Sequence, residues 1–327
     1  MSDVIKTLDN CKSETGELGA SPPTSPRRSS MSAKCLRDNI DGTIMAIIPF
    51  IGYILFSFIP MMVSVVVSFT ELHSYNFSSM KFVGLQNFIE ILQSDMFWLS
   101  FKNSMIFCLS VPLKMALQLY LAHLLTKHVK GSALFRTIFF IPSICSGTAV
   151  TLVWSWILEP EFGIVNSVLS GMGLAKIGFT TTKTWFLPSV IILNTWWMST
   201  NVILMESAMA TVDNTLKEAA RIDGATERQV FWKVIFPCVT PTLFYHLVTN
   251  LIAAMQEMQL MQVLATNGTG PDFAAVTMVY YMYRMTNAAV MTDGFGMACA
   301  MGWIIALMIM LITKIQFWLS KKWVSYD

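Results

Sequence analysis

Residues 44–69 read IMAIIPFIGYILFSFIPMMVSVVVSF, twenty-six positions without one charged side chain. A bilayer's hydrocarbon core is ~30 Å thick and takes about 20 apolar helical residues to cross, and this stretch meets that length with residues to spare. It starts too late and runs too long for the apolar part of a signal peptide, so it is expected to stay in the protein. Outward from it, five more windows of similar character lie at 101–125, 134–158, 187–210, 241–264 and 295–318. Each carries one to three ionisable side chains, mostly near an end where a long basic side chain can reach the headgroups. The 327 residues are 54% hydrophobic and 13% charged, against roughly a quarter charged in an ordinary soluble domain. That balance excludes a water-soluble globule, a nucleic-acid binder with a basic face and a disordered polyelectrolyte. The fold class is an all-α integral membrane protein with six transmembrane helices.

An even number of spans puts both termini on one side, and basic residues choose the side. The N-terminal tail, the 126–136 linker, the 211–240 linker and the C-terminal end, 321–327 included, hold sixteen of the 22 lysines and arginines. Both termini are therefore expected in the cytoplasm, with outer loops near 71–100, 159–186 and 265–294. Residues 1–43, which include ASPPTSPRRSSMS at 20–32, read as a disordered cytoplasmic tail. The six cysteines show no paired spacing, so neither a disulfide framework nor a metal knuckle is indicated.

One internal linker has a design of its own. Residues 211–240 read TVDNTLKEAARIDGATERQVFWKVIFPCVT. Thr215 with Glu218, and Thr226 with Gln229, each match the capping-box spacing, and Gly224 between them supplies a left-handed helix stop. Two short helices are predicted, the first over 216–223. Pro237 and Pro241 mark the return into the membrane. At 1.5 Å per residue the first helix spans only about 12 Å, too short to bury a core. Two uses fit it: a peg seated in a partner, with Ala219 and Ala220 allowing close approach and Glu218 and Arg221 at the rim, or an amphipathic loop lying on the headgroups.

Glu218-Ala219-Ala220, Gly224 after three intervening residues, then Val234, Phe236 and Pro237 resemble the EAA-x3-G-x9-I-x-L-P loop of binding-protein-dependent ABC importers. Val stands for Ile and Phe for Leu. Lys81–Phe97, Phe135–Pro142, Glu159–Asn166 and Ile315–Asp327 likewise resemble carbohydrate-uptake permeases of the MalF/UgpA type, and the likeness runs from about residue 41 to the end. It departs at Asp213, where that family has proline, and at Glu206, where an apolar residue is usual. The resemblance implies a type I importer (MetI-like) fold and a sugar or oligosaccharide permease in a bacterial or archaeal cell membrane. It also implies that Thr215–Asp223, with Gly224 and Pro237 completing the motif, seats in an ATPase cleft. Implied partners are a second homologous permease in a heterodimer, an ABC ATPase dimer, an extracytoplasmic solute-binding lipoprotein or periplasmic protein, and membrane lipid; no nucleic acid.

The chain has no G-x4-G-K-[ST] phosphate loop, so ATP-Mg belongs on a partner and no cofactor is expected here. It is not expected to be an enzyme. The four histidines are isolated and suggest neither catalysis nor metal. Polar side chains concentrate in the fourth and fifth windows, where they mark either a lumen or helix-to-helix ties. The candidate substrate path is Trp197, Ser199 and Asn201 in the fourth, and Asn250, Met255, Gln256 and Gln259 in the fifth. Gln256 and Gln259 are expected on one helical face with Ala253, with Glu257 pointing elsewhere. In the resembling family these two helices hold the sugar. Glu206 and Glu257, the carboxylates deepest in the windows, support the rival reading of an ion-coupled secondary transporter. Glycerol phosphate or another polar solute remains open as cargo.

Overall fold

The computed structural model describes residues 33–72, 80–127, 132–265, 267–286 and 294–325. The tail before residue 33, with its Ser/Pro/Arg-rich segment, lies outside the described residues. The chain forms two units, Met1–Ser64 and Val65–Asp327. In the first, α1 (Ala33–Tyr53) passes through one π-helical turn (Ile54–Phe58) into α2 (Ile59–Ser68), whose last residues begin the second unit. Helix thus begins inside the stretch expected to be tail. Residues 33–43 contain no proline, and an apolar helix already nucleated extends backward at one hydrogen bond per residue. Within this unit no described side chain is buried.

The second unit opens with a two-residue β ribbon, β1 (Thr70–Glu71) antiparallel to β2 (Lys81–Phe82), with Thr70 opposite Phe82. There follow α3 (Gln86–Gln93), α4 (Asp95–Cys108), α5 (Ser110–Thr126), α6 (Ser132–Ile144), α7 (Gly147–Ile157), α8 (Ile164–Gly171) and α9 (Lys183–Thr195). A 3-10 turn (Trp196–Met198) leads into α10 (Ser199–Ala210), then α11 (Asn214–Ile222), α12 (Glu227–Val230), a second π turn (Phe231–Ile235), α13 (Phe236–Met255), α14 (Gln259–Leu264), α15 (Met278–Thr286) and α16 (Gly294–Ser320). Gly296 is where α16 meets the ribbon: a Cβ there would lie 2.0 Å from the Thr70 carbonyl oxygen, so only glycine fits.

Among the described residues, four helical segments are long and apolar enough to cross a bilayer: Gly42–Ser68, Asp95–Thr126, Glu227–Met255 and Gly294–Ser320. The third and fourth predicted spans are not straight. Leu134–Ile144 and Gly147–Ile157 meet at 101°, and Lys183–Met198 and Thr200–Ala210 at 50°, so the count is six only if each bent pair is one span. The first bend falls where Ser146 takes extended backbone angles (φ −60, ψ 128) ahead of Gly147. The predicted fifth span, 241–264, moves toward the N-terminus: its helix starts at Glu227 and stops at Met255. Pro237 and Pro241 therefore lie inside a continuous helix rather than at its entry.

Proline tolerance has a visible cause. A helical proline lacks an N–H and its ring clashes with the carbonyl four residues back. Both π turns sit just before a proline, at Pro60 and Pro237, and each is closed by an i to i+5 bond, from the Ile59 N–H to the Ile54 oxygen and from the Phe236 N–H to the Phe231 oxygen. The widened turn shifts the bonding register so that the ring meets no opposed carbonyl.

Three apolar clusters hold the second unit. One centres on Phe107, Phe186, Met261 and Ala275, one on Phe97, Met255, Met278 and Met301, and one on Ala122, Val202, Met205 and Val239.

Candidate functional site

Two features face each other along one rod. The first is a polar cavity of about 260 Å³ among the helices. Lys114 of α5 lines it, with Gly147 and Thr151 of α7, Asn194 of α9, Trp197 of the 3-10 turn, Ala253 of α13, Glu257 from the break after α13, and Gln259 and Leu260 of α14. Every element that breaks contributes to this wall. Residues 256–258 leave the helix, and the Glu257 carboxylate accepts the Leu260 N–H at 2.8 Å to start α14. Trp197 sits at φ −85, ψ 42, off the helical path. Irregular backbone at membrane depth is tolerated where it lines a cavity.

Lys114 is 8% exposed and has no hydrogen-bond partner among the described residues; the Glu257 carboxylate lines the same cavity. Gln259 Nε2 donates to Thr148 Oγ1, and Asn194 Nδ2 to Ser110 Oγ at 2.8 Å. The cavity thus presents an ammonium, a carboxylate, two amides and an indole, a set able to bind a polyhydroxy solute by hydrogen bonds and ring stacking.

The predicted path residues divide. Trp197 and Gln259 line the cavity. Asn201 and Asn250 bond to each other, Nδ2 to Oδ1 at 3.0 Å, and Asn250 Nδ2 also reaches the His246 carbonyl at 2.7 Å. They tie α10 to α13. Met255 is packed with Phe97 and Met301 in an apolar cluster. Gln256 is exposed at the end of α13 and is absent from the cavity wall. The shared face predicted for Gln256 and Gln259 fails because the helix stops between them, and the break instead puts Glu257 beside Gln259. Of the Ser199 side chain nothing is described. Reasoning from the sequence missed Lys114 and Thr151. A single lysine deep in an apolar window was the signal available, since such a charge is costly unless it has a use. Glu206 accepts from Arg136 Nη2 and ties α10 to α6.

The second feature is the linker. Helix α11 starts at Asn214, capped by Asp213, whose Oδ1 accepts the Thr215 N–H at 2.9 Å. The box predicted at Thr215 and Glu218 does not form, because Thr215 already lies within the helix. The second box does form: Thr226 Oγ1 accepts the Gln229 N–H, and Gln229 Oε1 accepts the Thr226 N–H at 2.8 Å. Gly224 stops α11 at φ +81, with the Gly224 N–H on the Arg221 oxygen and the Ala225 N–H on the Ala220 oxygen, both at 3.0 Å. No residue of α11 is buried; Glu218 and Ala219 are exposed, and Ile222 is 85% exposed. Arg221 Nε donates to Glu227 Oε1 at 2.8 Å, bracing α11 against α12.

Helix α12, the π turn and α13 run without interruption from Glu227 to Met255. One end carries the braced α11 and the other ends at the cavity. Broken apolar helices around a polar cavity define a multi-pass integral membrane protein with a solute-sized interior site. Residues 117–324 match the family described as binding-protein-dependent transport system inner membrane component, and the chain belongs to that family. It is 33% identical over 298 residues to the probable ABC transporter permease protein YesP of Bacillus subtilis (strain 168), covering 89% of this chain and 94% of that one. It is 27% identical to the lactose transport system permease protein LacF of Rhizobium radiobacter, covering 74% and 82%. A chain in the crystal structure of a bacterial alginate ABC transporter, in complex with alginate pentasaccharide-bound periplasmic protein, shares the fold: TM-score 0.75, 23% identity, 90% of this chain and 98% of that chain.

Proposed function

We propose that this chain is one membrane subunit of an ATP-driven importer for a sugar or oligosaccharide, with both termini in the cytoplasm. The saccharide arrives on an extracytoplasmic binding protein and crosses through the Lys114–Glu257 cavity. A second permease completes the channel, and α11, carrying the EAA sequence, seats in a separate ATPase dimer. The observation that carries this reading is the continuous Glu227–Met255 helix, roughly 43 Å long at 1.5 Å per residue. Motion imposed on an exposed, braced α11 reaches the cavity along a stiff rod, and the alternating states are selected by nucleotide at the far end. The saccharide class is supported by the lactose system named for one relative and by the cavity's hydrogen-bonding wall.

Ion coupling lacks comparable support. Glu206 is engaged by Arg136, and Glu257 shares its cavity with Lys114, whose ammonium opposes a bound cation. The test is purification of the chain from detergent-solubilised membranes, then ATPase measurement in nanodiscs with candidate saccharide-loaded binding proteins. Co-purification of an ATPase stimulated by one loaded binding protein is expected. A chain that purifies alone and moves saccharide on an ion gradient would sink the proposal.

A further inference from the structure

A second cavity, of about 470 Å³, lies between α5 and the segment formed by α12 and its π turn. It shares no lining residue with the Lys114–Glu257 cavity. We propose that it is a binding site for an anionic phospholipid, whose phosphate is held by Lys127 and Arg228.

The argument starts from unmet charge. Neither Lys127 nor Arg228 has an ion-pair partner among the described residues. Glu227 also reaches the cavity, but its carboxylate is taken on both oxygens by Arg221, at 2.8 and 3.3 Å. The free charge at this mouth is therefore positive. His123 closes the inner wall, its ring 4.3 Å from that of Phe231. A phosphate diester supplies acceptors and a negative charge to both cations at once.

The remaining wall says why the phosphate belongs to a lipid. Leu119, Tyr120 and Trp232 line the cavity, and Tyr120 and Trp232 are 60% and 51% exposed. Amphipathic rings at the ends of apolar helices mark the headgroup level, where an acyl chain would run down along α5. Basic pockets between spans on the cytoplasmic side suit anionic headgroups. A lipid here would also brace α12 against α5, at the foot of the rod that leads to the other cavity.

The test uses the full chain in nanodiscs of phosphatidylcholine with and without phosphatidylglycerol, read by native mass spectrometry of lipid retained after release. Retention of phosphatidylglycerol over phosphatidylcholine is expected. Removing both charges in Lys127→Gln with Arg228→Gln should weaken retention on the order of tenfold or more, and Ala116→Trp, which fills the apolar wall and keeps the charges, should weaken it too. The control removes two exposed charges elsewhere, Lys314→Gln with Lys321→Gln, and should leave retention unchanged. Equal retention of the two lipids, an equal loss in the control pair, or no effect of Ala116→Trp would each overturn the site. So would crosslinking of Trp232 to a partner polypeptide in the assembled complex, since the cavity would then be a protein contact.

Discussion

The guanidinium of Arg221 closes on the carboxylate of Glu227 across the Gly224 turn, Nε donating over 2.8 Å and Nη2 over 3.3 Å. Both side chains are half exposed or more, so water screens the pair and it adds little to folding. On the proposed function, the pair holds the angle between α11 and the rod. Arg221→Glu is expected to leave membrane levels unchanged and to lower uptake on the order of tenfold or more, as a small misplacement of a working part does. Reversing both charges, Arg221→Glu with Glu227→Arg, should restore most of it. Uptake and ATPase rate measured together check this; a double variant as poor as the single would mean that Arg221 is needed for a partner rather than for Glu227.

Gly224 holds φ +81, and a Cβ there would meet nothing within 4 Å. The cost of a side chain is therefore conformational alone, about 1 kcal/mol for alanine. Asparagine tolerates the left-handed region, so Gly224→Asn should retain more uptake than Gly224→Ala, and Gly224→Val less than either. At the other end of α11, the Thr215 backbone N–H bonded to Asp213 holds its carboxyl below the usual range. A depressed acid stabilises when ionised: the cap is present above the ordinary carboxylate pKa and is lost as pH falls through the depressed value. Amide protection over 214–218, taken relative to the intrinsic exchange rate at each pH, should fall in acid for the wild type and show no such acid step in Asp213→Asn.

The apolar windows were legible because twenty-residue runs without paired charge have few other uses. The first bend and the stop at Met255 were not, because both involve contacts distant in sequence: Gln259 Nε2 donates to the Thr148 hydroxyl, and the Thr277 hydroxyl donates to the Glu257 carbonyl at 2.9 Å. Helical periodicity carried through 256–259 therefore paired Gln256 with Gln259 and excluded Glu257, the reverse of the arrangement found. The linker was more legible, since caps are local. Thr226, Gln229 and Gly224 act as their spacing predicts, while Asp213 displaces Thr215 because a carboxylate two residues earlier takes the N–H first.

Lys114 faces the cavity nearly buried. A charged amine at this depth opposes insertion and folding, so a residue that only filled space would do better as methionine. Lys114→Met is expected to leave thermal stability equal or higher and to lower uptake on the order of tenfold or more, as loss of a charged hydrogen bond to a bound solute does. ATPase activity without binding protein should not change. Scanning calorimetry and radiolabelled saccharide uptake separate these outcomes, and a destabilised but transport-competent protein would make Lys114 structural.

Asn201 and Asn250 make the opposite case. They bond across α10 and α13, and interhelical hydrogen bonds of this kind contribute about 0.6 kcal/mol on average and up to about 1.7. Asn201→Ala is expected to lower the unfolding midpoint in detergent and to leave the apparent KM for uptake unchanged. A rise in KM with unchanged stability would return both residues to the solute path.

Phe273 sits at φ +59 beside Asp272 at φ +52, a conformation that a bulky L-residue adopts at a cost of ~1–3 kcal/mol. Surrounding bonds impose it: Asn103 Nδ2 donates to the Phe273 and Val276 carbonyls at 2.9 and 3.1 Å, Lys183 pairs with Asp272, and Tyr280 and Arg284 both donate to the Gly268 carbonyl. Asn103→Leu removes the shared donor; the Phe273 carbonyl keeps the Val276 N–H at 3.0 Å, while the Val276 carbonyl loses the Asn103 amide, at a cost of about 1–3 kcal/mol if it stays buried. Amide exchange over 267–277 should then rise. Phe273→Gly relieves the strain directly, so exchange in the same segment should slow or hold steady. If the strain presents Phe273, which is 40% exposed, to the binding protein, Phe273→Gly will lose stimulation by loaded binding protein while its stability holds. Full stimulation in that variant would assign the strained turn to the packing of α15 against α4 alone.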